Sequence, residues 1–134
     1  MEKISKLLGC SLSRTLYVRI STNRMHVRHV ESRREAELAP DRPFTRSQLL
    51  IAEFTVAQRL LKRAIREVSG GFGLAPVIVM HPLVTVDGEP SESERRLLLD
   101  LGYESGARYV AVAAQELSDG QVMQIARDRA RLCA

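Results

Sequence analysis

The segment from Val77 to Val112, VIVMHPLVTVDGEPSESERRLLLDLGYESGARYVAV, constrains the fold more than any other part of the chain. Val77 to Met80 is continuously apolar, as expected of a strand covered on both faces. Ser91 and Glu94 form the S-x-x-E pattern of a capping box, which predicts a helix start. Leu97, Leu98 and Leu101 then give that helix one buried face. After Gly106-Ala107 a second apolar run, Tyr109 to Ala113, predicts another strand. Two strands joined through a helix lie parallel in one sheet, with a right-handed crossover. An α/β fold is therefore expected.

The first half supplies strands of a different kind. Leu16, Val18 and Ile20 alternate with Tyr17, Arg19 and Ser21, the period of a half-buried strand. Thr22-Asn23 suits a tight turn, because Asn tolerates left-handed backbone. Met25 to Val30 alternates again, and a short third strand is expected near Ala36 to Leu38, with Asp41 to Pro43 ending the meander. Thr45 and Gln48 form another capping-box pattern, and Phe44 with Leu49 a hydrophobic staple. A long helix is therefore expected from Thr45, with Leu50, Phe54, Ala57, Leu61, Ala64 and Val68 on one face and a stop at Gly70-Gly71. Ser118 and Gln121 open the final helix, with Val122, Ile125 and Ala126 facing inward.

The expected order is β-β-β-α-β-α-β-α, a mixed five-stranded sheet. That topology resembles the ribonuclease H-like fold and one half of an actin-like ATPase, and a fold-level likeness alone carries no function. The chain's 134 residues suit a single domain over 1–134, with residues 1–10 set apart as a flexible N-terminal segment. Two cysteines, Cys10 and Cys133, at opposite ends give no disulfide framework and fit a reducing compartment. No apolar run reaches transmembrane length, so the expected location is cytoplasmic. The first 68 residues carry 14 Lys and Arg against 7 Asp and Glu, and the other 66 carry 6 against 9. A basic half attracts anionic partners, although solvated Arg on exposed faces accounts for most such imbalances.

Three sets of residues resemble the MreB family of bacterial actins, the rod shape-determining proteins. They are Val79-Met80-His81-Pro82, Glu94-Arg95-Arg96-Leu97 and Gly106-Ala107-Arg108-Tyr109-Val110, where the family has a strand ending in V-P, then E-R-R-A, then a G-A-x-x-V strand start. The likeness extends from about Leu16 to Ala114. Leu16 to Pro40 resembles the family's first three strands, and Ala52 to Val68 takes the place of its first long helix. The resemblance implies that Glu94 matches the glutamate that positions or activates the attacking water. It also implies that Arg19, Ile20, Ser21 and Thr22 stand where the family carries its D-L-G-T phosphate loop.

Departures from the family pattern change the expectation. A guanidinium at position 19 reverses the charge of a metal-organising carboxylate and cannot support Mg²⁺. Ser21 adds a Cβ where the phosphate loop needs glycine. Ala113-Ala114-Gln115-Glu116-Leu117 replaces the family's E-E-P. The chain spans only the family's first half, without a second phosphate loop of the D-x-G-x-G-T kind or an adenosine pocket. Nucleotide hydrolysis by this chain alone is therefore not expected, and Glu94 is expected to act chiefly as a cap, bonding back to the N–H of Ser91. Nucleotide-binding positions reduce to Arg19, Ser21 and Thr22, against an outward-facing Arg19 as the simpler reading.

Other chemistries fit less well. His26 and His29, three apart on a strand, point to opposite faces, and with His81 they form no zinc pattern. A nuclease of this fold needs several carboxylates on the central strands, where Arg19 stands instead, and Glu53 alone cannot replace them. The basic half lacks the clustered aromatics of a single-strand nucleic-acid platform. Lys3, Lys6, Ile4, Leu7 and Leu8 in Met1 to Cys10 form a short amphipathic segment suited to a weak membrane contact. The expectation is a non-enzymatic MreB-like protein of the cell-shape machinery, needing no cofactor and working through protein contact with its own kind or with a complete bacterial actin. The contact surfaces would be the meander edge or the face carrying Arg24, Arg28, Arg33 and Arg34. The alternatives are an ATP-Mg site completed by a second chain, and a nucleic-acid-binding module.

Overall fold

The computed structural model describes residues 14–45, 50–69, 75–83 and 89–132. Among these, strands β1 (Thr15–Ser21), β2 (Arg24–His29) and β3 (Arg34–Leu38) come first. Helix α1 (Phe54–Ser69), strand β4 (Val77–Pro82), helix α2 (Glu92–Glu104), strand β5 (Tyr109–Val112) and helix α3 (Asp119–Leu132) follow. The strands form one mixed five-stranded sheet in the order β3-β2-β1-β4-β5. β2 runs antiparallel to both β1 and β3, whereas β4 pairs parallel with β1 and with β5. β1 is thus the central strand, where the meander meets the parallel pair.

Alternation along β1 sorts its side chains onto two faces. Leu16, Val18 and Ile20 point toward α1 and α2, and their partners in register, Val27, Met25, Ile78 and Met80, share that face. The main core closes with Ala57, Leu61, Ala64 and Val68 of α1 and Leu98 and Leu101 of α2. The opposite face of β1 and β4 presents Tyr17 and Val79 to Val122 and its neighbours on α3, which forms a second, smaller core. β4 is therefore apolar on both faces because helices cover both. β3 and β5 are the sheet edges, and Glu35 and Glu37 on β3 place charge where an edge would otherwise invite indiscriminate strand pairing.

The turn between β1 and β2 holds more than two strands. Asn23 adopts a left-handed conformation with φ of 51°. Its side-chain oxygen accepts the backbone N–H groups of Phe44 and Thr45, both at 2.9 Å. The carbonyl of Phe44 in turn accepts N–H groups from Ala52 and Glu53 at 2.6 and 3.0 Å. The expected helix start at Thr45 is corrected by this geometry, since α1 begins at Phe54. The Thr45 hydroxyl accepts the N–H of Asn23 at 3.1 Å and donates to the carbonyl of Leu50 at 2.8 Å, so it ties a loop instead of capping a helix. Leu50 and Ile51 are buried ahead of the helix. Gln48, Leu49, Gly70, Gly71 and the segment Met1 to Cys10, with the expectations attached to them, lie outside the described residues.

Both expected helix starts in the second half are present. Ser91 caps α2, its hydroxyl accepting the N–H of Glu94 at 3.1 Å. The Glu94 carboxylate bonds the Ser91 hydroxyl at 3.1 Å, where the capping box predicted a bond to the backbone N–H. Ser118 and Gln121 form the full reciprocal box at α3, with N–H to side-chain bonds of 2.8 and 3.2 Å. At the other end of α2, Ala107 N–H reaches the carbonyl of Gly102 and Gly106 N–H reaches that of Tyr103, both at 3.1 Å. With Gly106 at φ of 103°, this is the Schellman stop of a glycine-terminated helix. Two of the motifs behind the family resemblance, E-R-R after its cap and G-A before its strand, thus serve a local structural purpose.

Candidate functional site

A polar cluster lies where the C-terminal ends of β1 and β4 meet the segment between β5 and α3. In open α/β sheets this end of the parallel strands is the usual ligand side. The parallel register sets Arg19 beside His81 and Tyr17 beside Val79, and the antiparallel register sets Arg19 beside His26. All but Val79 contribute polar groups to the face that α3 covers only in part.

Tyr17 is the buried centre. Its hydroxyl accepts the N–H of Leu117 at 3.1 Å and is hydrogen-bonded to Nδ1 of His81, 2.8 Å away. With the phenol as donor in that bond, His81 is neutral and carries its proton on Nε2. Burial acts in the same direction: it lowers the His81 pKa, helped by the Arg19 charge and opposed by Glu116. Burial also raises the Tyr17 pKa, so the phenol stays protonated. The two rings lie 5.9 Å apart with planes within 8°. Both side chains are shut away from solvent, which makes the pair a satisfied internal bond rather than an exposed acid and base.

Arg19 forms the outer layer. Its guanidinium lies 5.7 Å from the Tyr17 ring centroid. One terminal nitrogen donates to Glu116 at 3.1 Å and the other to Nδ1 of His26 at 3.2 Å. Nε is buried without a partner among the described residues. The Glu116 side chain is 74% exposed, and an ion pair with so wet a partner contributes about 0–1 kcal/mol. The network continues across the sheet. His26 Nε2 lies 3.3 Å from Glu35, and Arg28 bridges Glu35 to the start of α3 through a two-pronged contact with Asp119 at 2.8 and 2.7 Å. The hydrogen bond from Arg28 holds the Asp119 carboxyl below its ordinary range, and the same contact raises the Arg28 pKa.

The residues expected at a nucleotide site are only partly gathered. Arg19 belongs to the cluster, and its guanidinium is committed to Glu116 and His26. Ser21 and Thr22 sit at the β1–β2 turn, with Thr22 exposed. Glu94 caps α2, and its hydrogen bonds among the described residues are with Ser91. Mg²⁺ needs several oxygen donors. Here the end of β1 offers a cation, and among the described residues no three His, Cys, Asp or Glu side chains gather. Arg24 and Arg28, expected on a free basic face, are matched by Glu37 at 3.8 Å and by Asp119 and Glu35.

Sequence reasoning missed the Tyr17–His81 bond and the Arg28–Asp119 contact, which join residues 64 and 91 positions apart. The alternation that placed Tyr17 and Arg19 on one face was visible, but it needed the β1–β4 register to find His81.

Buried neutral histidines make stability depend on pH. Burial lowers the pKa of both His81 and His29 below 6.5. Each then contributes stability that is full above about pH 6.5 and is lost as pH falls through its lowered folded-state value. Urea midpoints measured from about pH 8 to pH 5 are expected to drop below pH 6.5. His81→Asn, which keeps an acceptor for the Tyr17 hydroxyl, is expected to flatten part of that drop. An unchanged profile in the variant would remove His81 from the account.

Among the described residues no helix is long and apolar enough to cross a membrane. No family model matches the chain, and no curated protein matches it.

Proposed function

We propose that the chain is a non-enzymatic domain of the ribonuclease H-like, actin-related type, akin to one half of an MreB protein. It works in or beside the bacterial cell-shape machinery through protein–protein contact. The observation that carries this reading is Arg19. At the end of the central strand, where an actin-like ATPase organises metal and phosphate, this chain closes a guanidinium on its own Glu116 and His26. The sheet order, with β1 between an antiparallel meander and a parallel pair, supports the fold assignment. The motifs of α2 and β5 persist here as a helix cap and a helix stop, features that keep architecture without chemistry.

The test is association. The protein should sediment with filaments of a complete bacterial actin or assemble with itself, and Glu94→Ala should leave that behaviour unchanged. Absence of both associations across a range of concentrations would defeat the proposal. The alternative, a nucleotide cleft completed by a second chain, draws on the weak, exposed Arg19–Glu116 pair and the unpartnered Arg19 Nε. Calorimetric titration with Mg-ATP separates the two. Heat that saturates in the wild type and vanishes in Arg19→Ala would favour the alternative, and no heat at millimolar nucleotide favours the proposal.

A further inference from the structure

The strongest unassigned feature lies on the other side of the molecule from the Arg19 cluster. A groove of about 360 Å³ runs between the outer face of α1 and the segment that follows β3. Arg42 from that segment and Arg59, Lys62, Arg63 and Arg66 from α1 line it, and all five are exposed. Among the described residues of the lining, Asp41 is the one carboxylate.

The cations are arranged at a cost. Arg59 and Arg63, and Lys62 and Arg66, are like-charged pairs four residues apart on one helix, a spacing that destabilises the helix. Relief from within the chain is slight. Arg63 leans on Glu67 at 3.9 Å, and the ion pairs seen among the described residues do not include Arg42, Arg59, Lys62 or Arg66. This contrasts with Arg28 of the meander, which Asp119 and Glu35 neutralise; the Arg24–Glu37 pair is as loose and exposed as that of Arg63. A row of five cations from two elements, four of them without an ion pair among the described residues, converging on one concavity, is an electrostatic site for an anion.

We infer that this groove binds an acidic segment of a protein partner, a stretch of carboxylates carrying one or two apolar side chains. The inference rests on the protein-contact reading above and names the surface and the chemistry. Three observations select this occupant. Pro40, Val56 and Leu60 add apolar surface to the lining, which a purely ionic ligand would leave unused. None of these apolar groups is fully exposed, Leu60 being buried in the core and Pro40 and Val56 half-buried, whereas a membrane surface is gripped by apolar side chains that protrude. Among the described residues the lining holds no aromatic ring on which a nucleic-acid base could stack.

The probe is a fluorescein-labelled synthetic peptide rich in Glu with Leu spaced through it, followed by anisotropy on the full chain. Wild type is expected to bind it and to release it as salt rises. The triple variant Arg59→Ala, Arg63→Ala, Arg66→Ala, confined to exposed positions, is expected to lose about tenfold or more in affinity. Val56→Ser should weaken binding while leaving the salt dependence in place, which isolates the apolar part of the lining. Unchanged affinity in the triple variant, or tighter binding to phosphatidylglycerol vesicles or single-stranded DNA than to the peptide, would overturn the inference. The two readings fail separately. If filament association survives the triple variant unaltered, the groove is wrong and the protein-contact function stands. If the peptide binds through the groove and no actin or self-association exists, the groove stands and the cell-shape reading falls.

Discussion

Replacing Phe44 by Ala is expected to destabilise the protein by about 3–5 kcal/mol, a large part of the roughly 5–15 kcal/mol that holds a domain folded. Phe44 belongs to no helix or strand, yet its side chain is fully buried in the main core. Its backbone is fixed from two directions. Asn23 accepts its N–H, and its carbonyl accepts the N–H groups of Ala52 and Glu53 just ahead of α1. The ring is thus held in place by a turn residue and in turn sets where α1 begins. Removing the ring leaves a cavity that this double tether prevents from collapsing, which puts the cost in the upper range for a large-to-small change. Asn23→Ala removes two accepted hydrogen bonds and the residue suited to the left-handed turn, at an expected cost of about 2 kcal/mol. Because both changes loosen one tether, the double variant should fall short of the sum of the single ones. Denaturant titration of the three variants checks this, and a Phe44→Ala cost below about 1 kcal/mol would mean that the loop is not part of the core.

How much of this was legible in the sequence varied with the range of the interaction. The caps at Ser91–Glu94 and Ser118–Gln121 depend on residues three apart and were read directly. So was β4, whose unbroken apolar run required cover on both faces. The start of α1 was misread because Thr45, with Gln48 three residues on, carries the same local pattern. Only the folded hairpin reveals that Asn23 already occupies the hydroxyl of Thr45. The Arg19 position was singled out by the resemblance to a phosphate loop, but its partners come from β2 and from beyond β5, a placement fixed by register and crossover. The basic surface was assigned to the meander, where the Arg residues are dense in sequence. The groove was missed because only the apolar face of α1 was read, and Arg42 joins the charges of the other face only through the packing of α1 on β2 and β3.

Gly102 is the position where a single methyl should matter most outside the Phe44 loop. It lies inside α2, where glycine costs about 1 kcal/mol relative to alanine, so on propensity alone Gly102→Ala should stabilise. The packing reverses the sign. A Cβ at this position would lie 2.6 Å from Val110 Cγ2 and 3.0 Å from Cγ1. Val110 is fully buried on β5 and joins the main core, and a β-branched side chain has few rotamers with which to yield. The helix must therefore move off the sheet, a change that costs about 1–3 kcal/mol for overpacking and exceeds the propensity gain. Moving α2 also disturbs the Schellman stop, because the carbonyl of Gly102 accepts the N–H of Ala107. Gly102→Ala is thus expected to lower the urea midpoint, as Val110→Ala should on its own by opening a cavity. Combined, the two should partly compensate, since the smaller residue on β5 makes room for the added methyl on α2. Strict additivity, or a stabilised Gly102→Ala, would show that α2 does not approach β5 this closely. The result bears on function as well. The close approach of α2 to β5 is what the G-Y-E-S-G-A stretch provides, and its rupture with the Arg59–Arg66 groove left intact would separate a fold defect from a binding defect.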